Sequence, residues 1–205
     1  ELAGIEREHT ALKRDRDARA RQRAGRKGLP TALDEIRAKP GYERALAAVL
    51  GRDAKSPLGA PADGQEGRYW TGSNTPKSVK DSLASHVTEC PPQLSARLAL
   101  VHCVPSDDGR TLGPGEWLVT NDGHLRRWDG FIARGEGAAE AARLEAENRL
   151  SDLEKQLPAL RAAADQAETA QTAAQSELTE LQRDLIASER NVGEAVETER
   201  QALRR

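Results

Sequence analysis

The sequence contains no methionine, only two cysteines, and six aromatic residues among 205, with Phe131 as its single phenylalanine. A globular chain of this length normally carries more aromatic and β-branched side chains in its core. Much of this one is therefore expected to lie outside any core. Cys90 and Cys103 form no CxxC pair, and no signal-like segment precedes them. Two isolated thiols fit a reducing compartment and argue against a disulfide framework. No apolar run approaches the ~18 residues needed to cross a bilayer. A chain without methionine even at position 1 is expected to be an internal piece of a longer protein.

What is abundant is charge: Asp, Glu, Lys and Arg make up 31% of residues, nearly balanced at a net −2. The balance hides a local excess. Residues 13 to 27, "KRDRDARARQRAGRK", hold eight cations (Lys13, Arg14, Arg16, Arg19, Arg21, Arg23, Arg26 and Lys27) against two Asp. A helix so charged is suited to contact DNA phosphates, whose neutralisation releases counterions whatever the base sequence. The competing reading is a solvated helix face whose arginines pair with Glu140, Glu145 and Glu147 further along the chain.

The strongest pattern occupies the C-terminal third. From Leu150, apolar residues recur at alternating steps of three and four through Leu153, Leu157, Leu160, Ala164, Ala167, Ala174, Leu178, Leu181, Leu185, Val192, Ala195 and Ala202. Thirteen of the 16 positions in this register are apolar, and the exceptions are Gln171, Ser188 and Glu199. A 3.5-residue repeat held this long specifies a coiled-coil helix that needs a partner. Its start is expected near Ala138, directly after Gly137, giving a rod of ~100 Å. Pro158 falls inside without changing the register, so a kink is expected and not a stop. A shorter seam of Leu2, Ile5, His9 and Leu12 opens the chain.

Between these arms, residues 28–137 are rich in turns. Thr31 opens a short helix over 31–38. Tyr42, Ala45, Leu46, Val49 and Leu50 line one face of a helix ended by Gly51. Residues 55–67 read as a loop, and Ser78 to His86 as another helix. Residues 94–104 begin as a helix and finish as a strand at Leu100 to Val104. Trp117 to Thr120 and His124 to Trp128 flank Asn121-Asp122-Gly123 as a hairpin. The fold expected is α+β, a small domain (28–137) inserted between two antiparallel coiled-coil helices (1–27 and 138–205).

Two stretches carry a family resemblance. "PGYERALAAVLG" (40–51) resembles the segment that opens the hinge of SMC proteins, the chromosome-organising ATPases of the condensin and cohesin type. "LVTNDGHLRRWDGFIARGEG" (118–137) resembles the segment that closes it, and its "RRWDGF" is similar to SMC chains of alphaproteobacteria. Residues 55–75 depart from the family in lacking an apolar strand, and the usual adjacent glycine pairs are reduced to Asp129-Gly130 and Arg134-Gly135. The resemblance implies a homodimerisation hinge in which Gly130 and Gly135, flanked by Asp129 and Arg134, form the contact with a second copy. Those two charges are placed to pair across it. It also implies weak, non-specific DNA binding at the junction of hinge and arms, and a cytoplasmic, nucleoid-associated location. No enzymatic activity, cofactor or membrane partner is expected within this chain. ATP and a kleisin partner are implied only through head domains outside it.

Other readings compete. In a coiled-coil scaffold the helices alone drive assembly and the central domain is a recognition insert. In a small nucleotide-dependent enzyme, the glycines before the long helix form a phosphate loop. Gly135-x-Gly137 continues to Glu140 where such a loop requires Gly or Ala, and no long buried parallel strand precedes it. For zinc the candidates are His86, Cys90, His102 and Cys103, but His102 and Cys103 are adjacent, and on a strand their side chains point to opposite faces.

Overall fold

The structure, a computed structural model, describes residues 1–24 and 28–204. In chain order its elements are α1 (Leu2–Ala24), α2 (Ala32–Glu35), β1 (Arg37–Ala38), α3 (Glu43–Leu50), β2 (Val87–Glu89), α4 (Pro92–Ala99), β3 (Val101–Val104), β4 (Trp117–Thr120), β5 (Leu125–Arg127), β6 (Ile132–Ala133) and α5 (Ala138–Leu203). Short 3-10 turns follow α3 at Gly51–Lys55 and precede β2 at Leu83–His86. The architecture is α+β. The chain divides into two compact units, Arg7–Glu154 and, separately, Glu1–Glu6 with Lys155–Arg205.

In the larger unit a four-stranded sheet runs in the order β3-β4-β5-β6, with β3 and β4 parallel and the remaining pairs antiparallel. Strand alternation sorts its side chains. Val101, Cys103 and Val119 enter the main core on one face, and Val104 and Leu118 join Leu112 on the other. The main core is completed by α3, whose Ala45, Leu46, Ala47, Val49 and Leu50 are all buried, by Leu94 and Leu98 of α4, and by Ala141 and Leu144 of α5. A second sheet, β1 against β2, is two strands wide.

Local chemistry accounts for the element ends. Thr31 caps α2 through a capping box with Asp34, whose carboxylate accepts the Thr31 amide at 3.1 Å and hydroxyl at 2.8 Å. The helix stops at Glu35, short of the 31–38 expected, because Arg37 and Ala38 are drawn into pairing with β2. The helix expected over Ser78 to His86 is also shorter. Val79 donates to the Ala99 carbonyl, Asp81 takes a positive φ of 58°, and only Leu83–His86 coils, capped by the Ser82 hydroxyl. The expected helix-then-strand over 94–104 is present as α4 and β3, and the hairpin as β4 and β5.

Both long helices meet the central domain at α2. Arg23, near the end of α1, donates to Glu35 at 3.3 Å, and Arg143, in the second turn of α5, donates to Asp34 at 2.7 Å. One helix arrives and the other leaves at the same short element, so within this unit they run antiparallel. Ion pairs Arg19–Glu147 (3.1 Å), Arg16–Glu154 (3.1 Å) and Arg149–Glu8 (2.7 Å) join them along their length. The seam positions Leu150 and Leu153 are 1% exposed there.

In the smaller unit, Arg161 pairs with Glu6 at 2.8 Å and Leu157 is buried. The large apolar side chains from Leu178 to Val196 are between 42% and 67% exposed. α5 continues as helix through Pro158.

Candidate dimerisation site

The closing segment folds as two successive hairpins built on one turn design. In the first, Thr120 N–H donates to the His124 carbonyl and Gly123 N–H to the Thr120 carbonyl, both at 2.9 Å. In the second, Arg127 N–H donates to Phe131 O at 2.9 Å and Gly130 N–H to Arg127 O at 3.1 Å. Each is a three-residue loop, Asn121-Asp122-Gly123 and Trp128-Asp129-Gly130. In each, the last residue must take a left-handed backbone, which explains glycine at φ 83° and 86°.

The four glycines of this stretch separate into two pairs by what surrounds them. A β-carbon on Gly123 would lie 3.1 Å from the Arg44 carbonyl oxygen, and one on Gly137 only 2.7 Å from the Ala47 carbonyl oxygen. These two let the segment press against the backbone of α3, an approach within the chain. Gly130 and Gly135 have nothing within 4 Å of the equivalent position. Their φ values of 86° and 74° account for glycine on conformational grounds, and the space above them is open.

Around that open space lies the most exposed apolar surface of the sheet. Trp128, Phe131 and Ile132 are 49%, 46% and 59% exposed. Strand β6 pairs only with β5, so its outer edge has no strand partner among the described residues. On the sheet's outer face a hollow of about 200 Å³ is lined by Leu118, His124, Arg126, Ile132 and Arg134. These apolar side chains escaped sequence reasoning, although the signal was available: two of only six aromatics bracket one Asp-Gly turn.

The charges expected at this place are arranged unequally. Asp129 accepts from Arg127 at 2.6 Å within the same hairpin, so pairing with another copy would have to compete with that bond. Arg134 is exposed and has no ion-pair partner among the described residues.

The basic face separates likewise. Arg16, Arg19 and Arg23 are engaged with Glu154, Glu147 and Glu35. Of the acids considered on α5, Glu147 does pair with this stretch, whereas Glu145 pairs with Arg44 and Glu140 with Lys55. Lys13, Arg14 and Arg21 are exposed and carry no ion pair among the described residues, and Arg14 and Arg21 share a face because they stand seven residues apart. Arg26 and Lys27 lie outside the described residues.

Cys103 is buried, and burial pushes its thiol up to about 11, which suits a packed, unreactive side chain. Among the described residues no three His, Cys, Asp or Glu side chains converge as a metal site. No described helix is long and apolar enough to cross a membrane.

No family model matches the chain. Over 147 residues it is 39% identical to the chromosome partition protein Smc of Rhodopseudomonas palustris, and over 146 residues it is 37% identical to the protein of that name from Cereibacter sphaeroides. Each match covers 66% of this chain and spans 12% of the relative's length. Among solved structures, the Pyrococcus furiosus Smc hinge domain with an extended coiled coil superposes with a TM-score of 0.40 at 20% identity, over 82% of this chain and 78% of that one. The asymmetric dimer of the Geobacillus stearothermophilus SMC hinge domain gives 0.42 at 17%, over 81% and 96%. With the two hinge-like segments at 40–51 and 118–137, the match to alphaproteobacterial Smc proteins identifies this chain as an SMC hinge region with its adjoining helical arms.

Proposed function

We propose that this chain is a homodimerisation hinge, joining two identical SMC-type chains through the β5–β6 hairpin and the turn after it. The observation that carries this reading is the coincidence of three features in one place: an unpaired strand edge, three exposed apolar side chains (Trp128, Phe131, Ile132), and two glycines with open space above them (Gly130, Gly135). Apolar area supplies the driving force. The glycines let a second backbone approach without a side chain in the way. A stable contact of this kind buries roughly 1,200 Å² or more in total. Its role is association and mechanical coupling, and no chemical step is assigned to it. Gly130→Glu with Gly135→Glu places two carboxylates on the proposed contact, and the expected product is a folded monomer. A folded dimer in that variant would remove these residues from the contact.

A weak, salt-sensitive affinity for DNA at the junction of hinge and arm belongs to the same proposal, with Lys13, Arg14 and Arg21 as the cations free to make it. Any ATP hydrolysis or kleisin binding would belong to parts of the relatives that this chain does not span.

A further inference from the structure

Arg97 is out of place in a protein that pairs most of its buried charges. It projects from α4, is half-buried, and forms no hydrogen bond or ion pair among the described residues. Its guanidinium lies 4.1 Å from the centre of the Trp117 ring, and the guanidinium of Arg127 lies over the same ring at 5.0 Å. The nearby carboxylates are already used, Asp53 by Arg68 at 2.9 Å and Asp129 by Arg127 at 2.6 Å. The Arg127 Nε–H is buried without an acceptor. Burial, and then the like charge of Arg127, lower the Arg97 pKa, with Asp53 opposing. Two guanidinium groups share one indole face, and no carboxylate among the described residues pairs with Arg97, which makes a site short of one anion.

The surroundings indicate what that anion is attached to. Arg97 stands between two grooves, of about 510 and 390 Å³, that share Tyr69 and Trp70 as walls. Trp70 is held in place by its indole N–H, which donates to the Asp53 carbonyl at 2.8 Å. With Trp117, half of the six aromatics of this aromatic-poor chain gather around one unpaired arginine. Planar walls accept a planar ring, and a guanidinium stacked on a tryptophan keeps its N–H edge free for a bidentate oxyanion. The larger groove has the size of a small-ligand site.

We propose that this groove binds a nucleotide, with Arg97 holding the phosphate and the base laid against Tyr69. The site is separate from the dimer contact and from the cations of α1, and does not rest on either. The ligand could arrive as a free mononucleotide or as one unit of a single strand, and the phosphate-plus-ring chemistry is common to both.

The test is a tryptophan-fluorescence titration of the full chain with AMP, inorganic phosphate and a short single-stranded oligodeoxynucleotide, since Trp70 and Trp117 flank the site. It is run in a background carrying Lys13→Glu, Arg14→Glu and Arg21→Glu, which removes the contribution of those three arm cations. Saturable quenching by AMP is expected, weakened about tenfold or more by Arg97→Gln and partly restored by Arg97→Lys. Tyr69→Leu should weaken AMP but not phosphate. A response to the oligonucleotide alone, lost in Arg97→Gln, identifies the strand as the source and supports the site. Phosphate binding as tightly as AMP, no saturable binding of either nucleotide form, or binding untouched by Arg97→Gln would overturn the proposal. If Arg97→Gln lowers the melting temperature enough to unfold the chain, the Arg97→Lys and Tyr69→Leu comparison decides.

Discussion

Asn148 on α5 donates its amide to the Glu43 carboxylate on α3 at 2.6 Å, and the same amide group reaches the Ala38 carbonyl at 3.0 Å. The other Glu43 oxygen accepts the Gly41 amide at 2.7 Å, and Glu43 is only 7% exposed. A carboxylate from the opening hinge motif thus ties the first hinge helix to the returning arm. Its removal takes an acceptor from the Gly41 N–H and from the half-buried Asn148 amide. Glu43→Ala is expected to cost roughly 2 to 3 kcal/mol of unfolding free energy, measured by urea denaturation, and Glu43→Gln noticeably less. Equal stability of the Ala variant would mean the tie contributes nothing.

Glycines of identical appearance in sequence should respond differently to alanine. At Gly137 the new methyl would meet the Ala47 carbonyl at 2.7 Å on top of a positive φ, so Gly137→Ala is expected to lose about 2 to 4 kcal/mol. At Gly135 only the backbone penalty applies, and Gly135→Ala is expected to lose about 1 to 2 kcal/mol. Denaturant midpoints of the two variants, measured side by side below the dissociation concentration of any dimer, check the order.

The α2 junction should be acid-sensitive. For Asp34 burial opposes ionisation, but hydrogen bonds from Arg143 and Thr31 outweigh it and hold the folded pKa below its ordinary value. Its stabilising contribution is therefore fully present above the unfolded pKa near ~4 and is lost as pH falls through the depressed folded value. Asp34→Asn should be less stable than the parent at pH 7, with the gap closing as pH falls below about 5. A gap independent of pH across that window would deny the Asp34 charge this role.

DNA affinity, measured as a salt series on a random duplex, should depend on the three unpaired cations of α1. Replacing Lys13, Arg14 and Arg21 by Glu is expected to weaken binding and to lower the log–log salt slope by up to about three. Replacing Arg16, Arg19 and Arg23 by Gln should instead lower stability. Sequence-selective binding, or a slope unchanged in the first variant, would count against the junction as the DNA contact.

Long-period features were legible in the sequence. The apolar face of α3 and the β4–β5 hairpin follow from residue spacing and Asp-Gly turn chemistry, whereas periodicity does not settle the step from α4 into β3. Strands of two or three residues, such as β1, β2 and β6, carry no period and emerge only from tertiary pairing. Ser78 to His86 has helical composition, yet its first half is not helical: Val79 donates to Ala99 and Asp81 takes a positive φ. The glycines were recognisable as a cluster, but whether each faces α3 or open space depends on atoms up to 90 positions away in sequence, as between Gly137 and Ala47. The opposite fates of Arg16 and Arg14 follow from the helical phase that turns only one of them toward Glu154.

The most direct test of the hinge reading is the solution mass of residues 7–154 by light scattering. That segment is a compact unit retaining Ala141 and Leu144 of the core and leaving out the exposed part of the α5 seam. A dimer mass that persists without that seam is the expected result. A monomer at tens of micromolar, folded by circular dichroism, would contradict it and leave the helical arms as the only means of self-association.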